Sequence, residues 1–172
     1  QTQKGLWIRA TGYNEFYLDE KRHANRRDLD RAAPEHPVKL SHRSGHACVL
    51  NSKALELLSI SAETEEPEGG MMERDLDTGE PNGLLFEMNT FVDGRIPPIT
   101  EDELDEGIKL ANEAFLASGI TSLQDATWNN SAGRWQFLRR LKERGELLPR
   151  VSMMTGADGL EERPSFRQSS SV

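Results

Sequence analysis

Residues 38–60, VKLSHRSGHACVLNSKALELLSI, decide how the front half of this chain is read. The pattern predicts strands at 37–43 and 46–51, with Ser44-Gly45 between them as a hairpin turn. Asn51 or Ser52 then caps a helix running through Leu58. A polar quartet, His42, Ser44, His46 and Asn51, interrupts an otherwise apolar run. Strand ends fix the backbone while side chains face a cleft, so chemistry is sought there first. A second segment, GGMMERDLDTGEPNGLLFE at 69–87, predicts another hairpin. Its strands at 71–74 and 83–86 flank the polar loop LDTGEPN.

Working outward, residues 1–95 form a β-rich region with short strands and many turns. A strand is expected at 6–9 and a short helix at 26–33, ended by Pro34. The acidic stretch 63–68 reads as a solvated loop. Trp7, Tyr13, Phe16 and Tyr17 read as a local aromatic core. From Pro97 the texture changes. Thr100 with Glu103 has the spacing of a capping box, and Leu104, Ile108, Ala111, Phe115 and Leu116 follow at helical period until Gly119. A strand at 120–126, a helix at 131–146 carrying Trp135, Leu138 and Leu141 on one face, and a strand at 148–154 complete residues 96–157. That helix–strand rhythm is the one of βα units, and the apolar run 148–154 suits a buried parallel sheet. Residues 158–172 lose all periodicity and read as a disordered or aberrant tail.

The totals set limits. The chain has 172 residues, 35% hydrophobic and 29% charged, which implies a modest core or a surface buried against something else. The 21 basic and 29 acidic residues give a net charge of −8, opposite to what nucleic-acid phosphates attract. No apolar run is long enough to span a bilayer, and the N-terminus QTQKGLWIRA lacks a signal-peptide layout. Cys48 is the single cysteine, so no internal disulfide forms, which fits a cytoplasmic location. Between Ala47 and Val49 it reads as a buried structural thiol.

His42 and His46 are four apart, a spacing that zinc sites use on a helix, but here a turn lies between them. The pair admits three readings: one exposed and one hydrogen-bonded strand histidine, a substrate contact from His46, or a metal site built from both. Asp125 falls near the C-terminal end of an expected parallel strand, where α/β folds collect functional groups and where an Asp also caps turns. Glu87 ends a strand after GLLF and faces either a cleft or water. No Gly-x-Ser-x-Gly elbow and no phosphate-binding glycine loop occur.

Five stretches together resemble the metal-dependent amidohydrolase family 3, the branch that contains N-substituted formamide deformylases. They are WIRATGYNE (7–15), DLDRAAPEHPVKLSHRSGHACVLNSKAL (28–55), PEGGMMERDLDTGEPNGLLFE (67–87), SGITSLQDA (118–126) and LPRVSMM (148–154). The resemblance covers residues 5–158. It implies an α/β fold, a partial TIM-like barrel with a β-rich insertion, and hydrolysis of amide- or formamide-type C–N bonds by a metal-activated water. It also implies a small-molecule amide-type substrate and a divalent metal, zinc, in the full-length parent. The family's His-x-His pair is missing here, and so are its later ligands. The expectation is therefore a fragment that carries no cofactor of its own and is inactive alone. Residues 1–95 would shape the pocket, with His46 the first candidate to line it and Asp125 and Glu87 behind it. The rival readings are a non-catalytic binding module, and a small independent hydrolase using His42 and His46 with Asp125 or Glu87 as the acid.

Overall fold

A computed structural model describes residues 4–156, residue 159 and the pair 170–171. The chain divides into two compact units, Gln1–Pro97 and Pro98–Val172, each with its own sheet.

In the first unit the strands are β1 (Ile8–Tyr13), β2 (Val38–His42), β3 (Ala47–Leu50), β4 (Met71–Arg74) and β5 (Pro81–Phe86). They form one sheet in the order β1-β2-β3-β5-β4. The β2–β3 and β4–β5 neighbours are the two antiparallel hairpins that the turn residues predict. β1 joins β2 in parallel through a crossover that contains helix α1 (Arg26–Ala32). β3 pairs with β5 in the register Ala47↔Phe86, Cys48↔Leu85, Val49↔Leu84.

Alternation along β3 and β5 builds a core on both sheet faces. Ala47, Val49 and Leu84 point to one side and meet Leu29 of α1, Tyr13 and Phe86. Cys48, Leu50 and Leu85 point to the other and meet α2 (Ser52–Leu57) and α3 (Asn89–Asp93) through Ala54, Leu55 and Val92. Cys48 is fully buried, and that burial pushes its thiol up to about 11, so it stays a core side chain. Gly83 has to be glycine for two reasons. Its φ is +97°, and a Cβ there would stand 2.3 Å from the Leu50 carbonyl oxygen.

Two asparagines hold the helix starts. Asn25 and Asp28 form a capping box on α1, and Arg22 and Arg31 both reach Asp28. The Arg22 hydrogen bond leads in holding that carboxyl down to about 2. Asn51 is fully buried. Its Oδ1 accepts from the N–H groups of Val38 and Ala54, and its Nδ2 donates to the His36 carbonyl. One side chain thus caps α2, starts β2 and fixes the loop before it.

The second unit holds α4 (Glu101–Ala117), β6 (Ser122–Asp125), α5 (Ala132–Glu143) and β7 (Arg150–Met153). The Thr100–Glu103 capping box forms. β6 and β7 are parallel neighbours, Ser122↔Arg150 through Asp125↔Met153. Leu141, Leu147 and Val151 make the core, with Ile108, Leu123, Phe137 and Leu138 against it.

Several expectations are corrected. The 148–154 run is not buried on both faces: Val151 and Met153 point in, while Arg150 and Ser152 face out. The polar residues at alternate positions carry that signal. Phe137, which the expected stripe of α5 omitted, joins the core. Of the aromatic group, Trp7 and Tyr13 pack inward, but Phe16 and Tyr17 are 73% and 81% exposed. A 3-10 turn at Glu15–Tyr17, capped by Asn14, carries them out. Within the expected tail, Ser170–Ser171 pair antiparallel with β7 as β8. Apart from residue 159, the remainder of that tail lies outside the described residues.

Replacing Asn51 by Ala strips two buried backbone N–H groups and one half-buried carbonyl of their partner. Unfolding free energy is expected to fall by about 3 kcal/mol. The check is a urea titration in which the midpoint drops and the slope does not change.

Candidate functional site

His46 and Glu87 lie one step beyond the Ala47↔Phe86 pair, where β3 begins and β5 ends. The Glu87 N–H donates to the His46 carbonyl at 2.8 Å, extending the ladder past the last paired residues. The side chains also meet, with His46 Nδ1 2.8 Å from Glu87 Oε1. Both are exposed, 69% and 57%. Asp125 sits at the C-terminal end of β6 in the other unit. Its Oδ1 accepts from the N–H and the hydroxyl of Thr127, the geometry of a turn cap. Burial pushes that carboxyl up, but the Thr127 and Asn130 hydrogen bonds and the charge of Arg134 outweigh it, and the net shift is downward. The structure therefore joins His46 to Glu87, while Asp125 has local partners of its own.

A second cluster, not anticipated as a group, forms around His42. A bulge in β1 sets Tyr13 opposite His42. The 3-10 turn then brings Glu15 Oε2 to 2.9 Å from His42 Nε2 and 3.9 Å from His23 Nδ1. Tyr13, His23 and His42 stack edge-to-face, and His23 meets Phe86 in the same way.

The protons can be placed. The His42 Nδ1 accepts from the Ser44 N–H at 3.2 Å and lies 2.7 Å from the Ser44 hydroxyl. In the neutral ring the proton is then on Nε2, facing Glu15. That contact is close but off the line of a hydrogen bond, and Glu15 Oε2 and His42 Nε2 are both shut away from water without another partner. Tyr13 is pushed up to about 12, by burial first and then by the Glu15 charge, so it stays a phenol. Its hydroxyl lies 2.9 Å from His23 Nδ1, within hydrogen-bond distance. Glu15 itself is held below the ordinary carboxylate range. Its backbone N–H is the largest cause; burial opposes it, and His23 and His42 add to it.

Glu15 and His23 of this cluster, with Asn25, Glu73, Asn82 and Phe86, help to line an open cavity of about 500 Å³. The volume suits a small ligand. Sequence reading missed His23, which lies in none of the five family-like stretches, and passed over Glu15, which ends WIRATGYNE with nothing in the local pattern to mark it. The one trace is the pairing of Tyr13 with His42 across the crossover, which no local pattern encodes.

The cluster does not fit a metal ion. Among the described residues no group of three or more His, Cys, Asp or Glu side chains is placed to hold one. Glu15, His23 and His42 come near each other, but both rings spend Nδ1 on protein partners and His23 stands back from the carboxylate.

Against known proteins, the model of the amidohydrolase family matches residues 1–171. The chain belongs to this family. Among its relatives, a Bacillus subtilis protein named as an amidohydrolase, YtcJ, is 34% identical over 70% of this chain and 23% of its own length. The N-substituted formamide deformylase of Arthrobacter pascens is 32% identical over 90% of this chain and 29% of its own. An uncharacterized metal-dependent hydrolase of Pyrococcus horikoshii has a similar fold, with TM-score 0.57 at 22% identity, over 97% of this chain and 32% of that one. The chain thus spans between a fifth and a third of the length of the relatives it matches.

A carboxyl held down by folding stabilises the protein above its unfolded value, near pH ~4.3 for Glu. That contribution is lost as pH falls through the lower folded value. Glu15→Gln is therefore expected to be less stable than wild type at pH 7, with the gap closing below about pH 4. Urea midpoints from pH 7 to 3 read this directly.

Proposed function

We propose that this chain is a portion of a larger metal-dependent amidohydrolase that cleaves amide- or formamide-type, non-peptide C–N bonds of small molecules in the cytoplasm. In this reading residues 1–95 shape the substrate pocket, and residues 96–157 supply βα units of a TIM-like barrel. The observation that carries it is the alignment with the N-substituted formamide deformylase, which takes in nearly all of this chain and less than a third of that protein. Two features of the fold are in keeping with it. The β6–β7 pair is parallel and flanked by α4 and α5 in sequence, the repeat from which such barrels are built. Among the described residues β6 is also bonded on one side only, leaving an edge for a further strand.

The described residues do not furnish the donor set for the divalent metal, zinc in our proposal, so in this reading its ligands are residues other than those described. What this chain contributes is recognition: a cavity of mixed polarity, and His46 with Glu87 at the ends of two neighbouring strands. Neither nucleic acid nor a membrane figures in this reading. Among the described residues no helix is long and apolar enough to cross a bilayer. The two histidines turn to separate carboxylates, His42 to Glu15 and His46 to Glu87, which speaks against a single small centre built from both.

The purified chain is expected to show no hydrolysis of formamides or simple amides above the buffer rate, with or without added zinc, and to retain only substoichiometric zinc after gel filtration. Turnover that chelator abolishes and zinc restores would overturn the fragment reading. Cooperative unfolding of a metal-free monomer, with no gain on adding zinc, would favour a binding module instead.

A further inference from the structure

Three non-glycine residues among those described have a left-handed backbone: Lys21, Ser59 and Glu87. Two have local reasons. Ser59 ends α2, where a left-handed residue lets the Ile60 N–H reach back to the Leu55 carbonyl. Lys21 closes a turn onto the Leu18 carbonyl. Glu87 is different. It sits where β5 turns into α3, with φ +54°, at a position that glycine would occupy without strain. A strained strand-to-helix turn is a device that throws a side chain outward, and such strain persists where the side chain is needed.

What the Glu87 side chain reaches is His46. The backbone around that histidine is held with unusual completeness for an exposed turn. The His46 N–H donates to Ser44 Oγ, and its carbonyl accepts from the Glu87 N–H. The Gly45 carbonyl accepts from Asn89 Nδ2 at 2.6 Å. Glu87 Oε1 then stands 2.8 Å from Nδ1 of the ring. A nitrogen lone pair beside an ionised carboxylate is repulsive, so the proton of the neutral ring belongs on Nδ1. Nε2 is left as a bare acceptor with no protein partner among the described residues, on a side chain that is 69% exposed.

We propose that Glu87 is a positioning residue that fixes the ring and tautomer of His46, so that His46 Nε2 accepts a hydrogen bond from the N–H of a small amide ligand. The ligand class rests on the amidohydrolase reading above; the positioning does not. An exposed imidazole free to rotate would meet a ligand in many orientations and in either tautomer. The carboxylate holds the ring, and the three backbone bonds hold the strand end that carries it, before binding.

The test uses the whole chain labelled with 15N on its histidine rings. Glu87→Gly removes the carboxylate and suits the left-handed backbone, so this variant keeps its fold. Its melting temperature is expected to hold or to rise by a few degrees, on the order of 3 °C. In the wild type at pH 8 the ring spectrum of His46 is expected to show the proton on Nδ1, and in Glu87→Gly the proton is expected to move predominantly to Nε2. N-methylformamide, titrated in, is expected to shift the wild-type Nε2 signal and to bind about fivefold more weakly to the variant. The same tautomer in both proteins, or Nε2–H in the wild type, overturns the positioning role. If the tautomer changes as expected but N-methylformamide leaves the Nε2 signal unmoved, the ligand half is overturned, and the amide reading of the site loses its support from this residue.

Discussion

The first unit depends on the burial of one amide. Asn51 lies where β3 hands over to α2, and no water reaches it, so every polar group around it has to be satisfied from within. It serves the first N–H of β2, an N–H in the first turn of α2 and a carbonyl of the preceding loop at the same time. Those three points fix where the β2–β3 hairpin starts relative to the helix that covers it. The hairpin in turn carries His42 and His46 at its tip, so the orientation of both histidines is inherited from a residue that touches neither.

Both histidines have a carboxylate partner, and the two pairs differ in kind. His42 and Glu15 face each other in a dry corner, off the hydrogen-bond line, with Tyr13 and His23 packed round them. His46 and Glu87 meet in the open, where solvent weakens the charge attraction and what remains of value is orientation. Three turn residues, Arg43 to Gly45, therefore separate a sequestered pair from a presented one. Of the sequestered pair Glu15 lines the cavity, while the presented pair belongs to the ends of strands.

Much of this was legible beforehand, where the signal was local. The Ser44-Gly45 turn, the Thr100–Glu103 box and the cap at Asn51 each announce themselves within a few residues, and the elements they bound formed. Asn51 was visible as one of two candidate helix caps, beside Ser52, but its bonds to Val38 and His36 were not, because they depend on the chain returning. The same holds for Glu15 with His42, which need β1 to pair in parallel with β2 across the whole of α1. Phe16 and Tyr17 were misread because aromatic composition suggests burial, whereas the tight turn that Asn14 caps decides direction. At the site, His46 and Glu87 were each picked out singly. Their contact is set by the β3–β5 register, which is a property of two segments far apart in sequence.

The position of β1 in the sheet has a consequence for how this unit breathes. Among the described residues it is an edge strand, held on one side by a parallel neighbour that lies a long connection away in sequence, whereas the other strands belong to hairpins closed by short turns. An edge strand bonded to one neighbour, and joined to it by a longer connection, has less to hold it closed in native-state fluctuations. Amide hydrogens of β1 should therefore exchange with solvent sooner than those of β3 and β5. Each such opening carries Tyr13, and Glu15 just beyond the strand, away from His42, while the β3–β5 ladder stays closed beneath His46. Glu15, with its place in the cavity wall, thus depends on an edge strand, while the presented pair is anchored on the β3–β5 ladder inside the sheet.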